Sequence, residues 1–320
     1  MNIVGRRPLV EGPELVASLT VPPHFADATF DTYRPDRSFP SQAAALSAAR
    51  GFASGASGRV RRSSAGRGLY LDGGFGVGKT HLLAALAISM GSRAAFGTFV
   101  EYTHLVGALG FASARDALAD FRVVCIDEFE LDDPGDTVLM ARLMRELADE
   151  GVALAATSNT LPDSLGEGRF AADDFRREIQ AVSRVFDVVT IDGPDYRHRG
   201  ELAFVISSPE AVALVADRWG GVVEVWPALV EDLAHVHPSR LGAYVEGVRY
   251  LGLTGVKPLD NQAQALRVVS LVDRLYEADV SIVSSGESLG EIFPAEMLSG
   301  GYRKKYFRAL SRLSAMCAGE

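Results

Sequence analysis

Between residues 68 and 191 the apolar positions fall in short runs separated by turn residues and by longer amphipathic stretches. That alternation predicts a parallel sheet with crossover helices. Leu69-Tyr70-Leu71 reads as a strand entering a glycine-rich turn, and the run from Thr80 to Met90 as the helix leaving it. Ala94–Tyr102 predicts a second strand, Phe121–Ile126 a third, Val152–Thr157 a fourth and Val185–Ile191 a fifth, with a helix around Thr137–Asp149. Strands apolar on both faces belong in a sheet covered from both sides, so the five predict a doubly wound core.

The flanks read differently. Thr29-Phe30-Asp31-Thr32-Tyr33 is a short β-branched and aromatic cluster, and a helix is expected from Ser41, with Ser41 as its cap. Residues 51–68, with Arg59, Arg61, Arg62 and Arg67 among Gly and Ser, read as a flexible surface loop. After Gly200, Tyr250-Leu251-Gly252-Leu253, a helix near Gln262–Tyr276 and Val280–Ser285 repeat the strand–helix–strand plan of residues 123–158. Thr254 to Ser285 spans the same interval as Asp127 to Ser158, with Thr254 and Gly255 standing where Asp127 and Glu128 stand. Any two such units look alike, so the echo is compatible with an internal copy or with none. The expected organisation is an amino-terminal arm and loop over 1–67, a core over 68–200 and a carboxy-terminal α/β extension over 201–320 that continues the sheet or stands beside it.

Composition narrows the function. The 320 residues are 48% hydrophobic and 23% charged, which excludes extended disorder and collagen-like structure. Thirty-two basic against 41 acidic side chains leave a net charge of −9, so binding duplex DNA would need a local basic patch and nucleic acid is not the expected partner. Two cysteines, Cys125 and Cys317, make neither a disulfide framework nor a four-thiolate zinc site. No apolar run approaches the ~18–20 residues that span a bilayer, and Pro, Gly and Glu interrupt the amino-terminal stretch as no signal peptide does. A soluble, cytoplasmic protein is expected.

The chemistry is carried by Gly73-Gly74-Phe75-Gly76-Val77-Gly78-Lys79-Thr80, a full G-x-x-x-x-G-K-[ST] match between an apolar strand and an apolar helix. Glycines let the backbone wrap a phosphate chain with its N–H groups pointing inward, and the helix start aims its positive end at the same place. Lys79 is expected on the β and γ phosphates of ATP and the Thr80 hydroxyl on Mg²⁺. His81 closes the candidate nucleotide-binding run, although a packing role on the helix is the simpler reading. Val123–Ile126 then leads into Asp127-Glu128, placing two carboxylates at the carboxyl edge of a buried strand. Asp127 is expected to hold Mg²⁺ and Glu128 to activate the attacking water. Asn159 ends a further apolar strand; inserted between the other two, that strand would put Asn159 beside the γ-phosphate and make the fold the additional-strand, AAA-like class of P-loop protein. Turn chemistry alone also explains an Asn there. Arg169, ahead of Arg176, Arg177 and Arg184, is the first candidate for an arginine finger completing the site of a neighbouring subunit.

Several separated segments together resemble the ZapE cell-division ATPases and their mitochondrial AFG-type relatives. They are LYLDGGFGVGKTHLL (69–83), VVCIDEFELDDPGD (123–136), ATSNTLPDSL (156–165), DYR (195–197) and DNQAQALRVVSLVDRLYEADVSIVSSG (260–286). The likeness runs from about Phe30 to Tyr306. It implies a Mg²⁺-dependent ATPase that remodels a protein partner, with an FtsZ-like ring protein as the suspected target and a homo-oligomer as the active form. It gives Lys79, Thr80, Asp127, Glu128, Asn159 and Arg169 the roles above. The chain departs from the pattern at Leu259-Asp260, where an Arg is common, and in the short stretch 103–120. A helicase-loader-like, nucleic-acid-associated ATPase and a nucleotide-gated scaffold with little turnover remain as alternatives.

Overall fold

The computed structural model describes residues 2–8, 12–56, 68–74, 76–129, 134–161, 180, 184–194 and 204–317. They divide into two compact units, one built from 11–21 and 25–197, the other from 1–10, 22–24 and 198–320.

The first unit is an α/β sandwich around five parallel strands, β1 (Gly68–Gly73), β2 (Ala94–Thr98), β3 (Val123–Asp127), β4 (Ala153–Ser158) and β5 (Phe186–Ile191), in the order β2-β3-β4-β1-β5. β4 is thus inserted between the strand of the glycine-rich turn and the strand of the acid pair, with Leu71 opposite Thr157 and Ile126 opposite Ala156. Period-two alternation splits the strands between two cores. Leu69, Leu71, Val123 and Cys125 pack under helices α2 (Pro40–Ala56) and α3 (Lys79–Met90). Tyr70, Val124, Ile126 and Leu154 pack under α4 (Phe99–Leu109), α5 (Phe111–Ala119) and α6 (Pro134–Asp149). A short helix, α1 (Gly12–Ala17), precedes Leu19, whose carbonyl accepts the Phe96 N–H at 3.0 Å and so covers the edge of β2.

Three local expectations change. β2 stops at Thr98, and Phe99–Tyr102 opens α4 instead of extending the strand. The reason is a reciprocal cap: the Glu101 N–H donates to Thr98 Oγ1 at 3.3 Å, and the Thr98 N–H to Glu101 Oε2 at 2.7 Å. Ser41 lies inside α2 rather than at its cap, and its hydroxyl instead accepts the Asp192 N–H at 2.9 Å. Residues 51–56, expected to begin a flexible loop, instead continue α2 to Ala56, and residues 57–67 lie outside the described residues.

The second unit has its own parallel sheet, β6 (Val222–Val225), β7 (Tyr250–Val256) and β8 (Ser281–Gly286), in sequential order. Helices α7 (Pro209–Trp219), α8 (Trp226–Asp232), α9 (Leu241–Tyr244), α10 (Gln262–Glu277), α11 (Ala295–Ser299) and α12 (Arg303–Cys317) surround it. Asp273 on α10 pairs with Arg308 at 2.8 Å and with Arg312 on α12. Residues from the start of the chain complete this core: Ile3 is fully buried in it, and its N–H donates to Glu224 Oε1 at 2.5 Å. The Gly5 N–H, Arg7 and the Tyr244 hydroxyl converge on Asp232 at 3.0, 2.7 and 2.7 Å. Among the described residues no helix is long and apolar enough to cross a membrane.

Candidate active site

The carboxyl edges of β1, β3 and β4 bring the candidate residues together. Gly73 and Gly78 show why the loop between β1 and α3 is glycine-rich. A Cβ on Gly73 would sit 2.3 Å from the Ile191 carbonyl oxygen, and Gly78, at φ +89°, would drive one to 2.6 Å from the ring of Tyr33. Gly76 is also left-handed, at φ +70°. The result is a tight turn that delivers the chain to the first turn of α3, whose N-cap is Gly78. Tyr33 holds the turn from below: its hydroxyl donates to the Val77 carbonyl at 3.1 Å. Phe75 lies outside the described residues.

Lys79 is only 8% exposed, a burial that an ammonium tolerates when its donors are used. Its Nζ donates to the Gly73 and Gly74 carbonyls, at 2.8 and 2.5 Å, and to Asn159 Oδ1 at 2.9 Å. Asn159 therefore reaches the phosphate loop from the tip of β4, the position that strand insertion creates. Thr80 Oγ1 donates to Asp127 Oδ1 at 3.1 Å, joining the first turn of α3 to the end of β3. These are hard oxygen donors side by side at a sheet edge, a set that fits Mg²⁺, which keeps most of its ligands as water and phosphate.

Glu128 follows Asp127 at φ +52°, one of two described non-glycine residues with positive φ. That conformation costs about 1–3 kcal/mol and persists only where the surroundings fix it. Here Phe129, fully buried, anchors the next position, its ring edge-on to Tyr70 and Phe99 at centroid distances of 6.2 and 5.1 Å. A cavity of about 470 Å³ opens beside the loop, lined by Asp72, Gly73, Gly74, Asn159, Thr190 and Asp192 among others.

His81 points elsewhere. Its Nε2 lies 3.0 Å from the Thr29 carbonyl and 3.2 Å from Thr32 Oγ1, against the arm cluster. Arg169, Arg176 and Arg177 lie outside the described residues. Arg184 stands two residues before β5, which puts it towards the amino edge of the sheet, opposite the phosphate loop of its own subunit. Cys125 is fully buried in β3, and burial, with the nearby Asp127 charge, pushes its thiol far up and out of reactivity.

Sequence reasoning passed over Tyr33 and Thr157. Tyr33 had its signal in the aromatic cluster Thr29–Tyr33, and Thr157 in being a hydroxyl within an otherwise apolar strand that ends beside Asp127.

Strand order, glycine turn and acid pair define a P-loop nucleoside triphosphatase of the additional-strand class. Within that class the chain belongs to the AFG1-like ATPase family, whose pattern matches residues 11–231 and 231–320, and it is an ATPase. It is 30% identical over 301 residues to the cell division protein ZapE of Escherichia coli strain K12, covering 79% of each chain. Among solved structures it is similar to domain III of the Thermotoga maritima replication initiation protein DnaA, with a TM-score of 0.43 at 18% identity, covering 66% of this chain and 76% of that one. It is also similar to the DnaC helicase loader, with a TM-score of 0.38 at 19% identity, covering 53% of this chain and 99% of that one.

Proposed function

We propose that the protein is a Mg²⁺-dependent ATP hydrolase that couples loss of the γ-phosphate to remodelling of a protein partner in cell division. The observation that carries the nucleotide chemistry is the convergence of Lys79 with Asn159, and of Thr80 with Asp127, at one sheet edge. Phosphate oxygens are charged acceptors and outcompete the neutral carbonyls that now hold Lys79. A triphosphate in the glycine cradle therefore draws Nζ onto its β and γ groups and leaves Asn159 to orient the water beside them.

Asp127 and Thr80 would hold the ion, which would supply neutralisation of the charge developing on the phosphates. Glu128 orients the attacking water and takes its proton; Arg169 reaches the site of an adjoining copy. Positioning and charge stabilisation supply nearly all the rate, because phosphoryl transfer asks little covalent work of the protein.

The resemblance to ZapE supports a division-ring target, with an FtsZ-like polymer as the proposed partner in the cytoplasm. The deciding measurement is phosphate release by the purified chain with Mg²⁺-ATP, alone and with a polymerising FtsZ-like protein. Turnover that rises with the polymer supports the reading. Robust basal turnover that the polymer leaves unchanged removes that partner, and no turnover under either condition favours a nucleotide-gated scaffold.

A further inference from the structure

The left-handed residue at the end of β3 is held by one side chain on the neighbouring strand. Thr157, 2% exposed on β4, accepts the Glu128 N–H on its Oγ1 at 3.1 Å and the Phe129 N–H on its carbonyl at 2.7 Å. The same hydroxyl donates its single proton to Asp127 Oδ1. Its polarity is thereby fixed, proton to the carboxylate and lone pair to the amide. Ser158, 1% exposed, adds a hydrogen bond from its hydroxyl to the Phe129 carbonyl at 2.7 Å.

The second unit supplies an internal control. Gly255 follows Thr254 as Glu128 follows Asp127, and at φ +68° it sits in a register irregularity of β7, where glycine adopts the left-handed conformation without strain. Ile126 faces Ala156 and Leu253 faces Ser284, so the residue in the place of Thr157 there is Ser285, whose buried hydroxyl has no hydrogen-bond partner. The turn can thus be made by glycine with no clamp. At Glu128 a side chain occupies that corner, and Thr157 and Ser158 hold the two residues there.

We propose that Thr157 is a positioning residue of the hydrolytic site, its hydroxyl fixing the Asp127 carboxylate and the Glu128 backbone in one relative arrangement. It touches neither nucleotide nor water and acts through the two acids. This rests on the roles given to Asp127 and Glu128 above.

The test compares Thr157→Val, which keeps the shape and loses the hydroxyl, with Thr157→Ser, which keeps the hydroxyl, and with Glu128→Gln. Four quantities are measured on the full chain: kcat, KM for ATP, affinity for a fluorescent ATP analogue in EDTA, and Tm. Misplacing a reacting group by about an ångström costs roughly 10²-fold, so Thr157→Val is expected to lose about 10- to 100-fold in kcat. Its metal-free nucleotide affinity should stay within about twofold, and Thr157→Ser should retain kcat within about threefold. Amide exchange of the peptide covering 123–129 should quicken in Thr157→Val and not in Thr157→Ser. Thr157→Ala serves the same comparison should the valine variant not fold.

Wild-type kcat in Thr157→Val, with Glu128→Gln inactive, overturns this proposal alone. Equal losses in the valine and serine variants overturn it too, because the hydroxyl would then not be what matters. Wild-type turnover in Glu128→Gln overturns the assignment beneath it and this proposal together.

Discussion

The Lys79 ammonium and the Asn159 side-chain amide, eighty positions apart in the chain, meet at 2.9 Å across the tip of β4 and the start of α3. The contact exists because β4 lies between β1 and β3, and it makes Asn159 a side-chain partner of the phosphate-loop lysine. Removing the two groups should have different effects. Lys79→Ala takes a charge-assisted donor from the phosphates and should weaken ATP binding by about 10- to 100-fold in a direct binding titration. Asn159→Ala leaves that charge in place, so its effect should fall on kcat, with binding within a few-fold.

Glu128 carries the water-activating role proposed above. Glu128→Gln preserves size and hydrogen bonding while removing the base, and a positioned base is worth about 10²–10⁴-fold. Single-turnover assays should find ATP bound with near-normal affinity and its hydrolysis slowed by that order. Hydrolysis at the normal rate would reassign the base.

Gly78 combines a φ of +89° with direct approach to Tyr33. An alanine there is strained in its backbone and meets the aromatic ring, so Gly78→Ala should lower Tm and reduce nucleotide affinity together. Tyr33→Phe keeps the ring and loses only the hydrogen bond to the Val77 carbonyl. Its expected cost is about 1 kcal/mol in chemical denaturation, with ATP affinity changed far less than in Gly78→Ala.

Asp232 gives the fold a dependence on acid. Burial pushes its carboxyl up, but hydrogen bonds from Arg7, the Gly5 N–H and Tyr244 outweigh burial and hold it at about 2. Its folded value lies below the ordinary unfolded value of about 3.9, so this carboxylate stabilises fully above roughly pH 4. The contribution falls away as pH drops through 4 towards 2. Asp232→Ala should destabilise the protein at neutral pH by about 1–3 kcal/mol, because it leaves the buried Tyr244 hydroxyl without its acceptor. The gap from the parent protein should narrow as acid protonates Asp232 there, which melts followed from pH 7 to 2 will read.

The sheet and the phosphate loop were legible because each is written in adjacent residues. Val123–Ile126 alternates between two cores over four positions, and Gly73–Thr80 states its turn and helix start in eight. The insertion of β4 was expected from Asn159, although turn chemistry also accounts for an Asn there, and the strand order β2-β3-β4-β1-β5 bears it out. What stayed hidden depends on partners far along the chain or on a cap outweighing propensity. Phe99-Val100-Glu101-Tyr102 has the β-forming residues of a strand, yet Thr98 and Glu101 cap it into a helix. The left-handed turn at Glu128 has no signature of its own, because the residues that enforce it, Thr157 and Ser158, sit on another strand. No local pattern links Ile3 to Glu224, separated by 221 positions.

That last pairing limits how the molecule can be taken apart. A fragment cut to begin at residue 204 would carry β6–β8 but lose Ile3 from its interior, and Glu224 and Asp232 would lose donors they are folded around. It should be soluble only poorly by itself, and a synthetic peptide spanning residues 2–8, supplied in trans, should restore it, as in split-protein complementation.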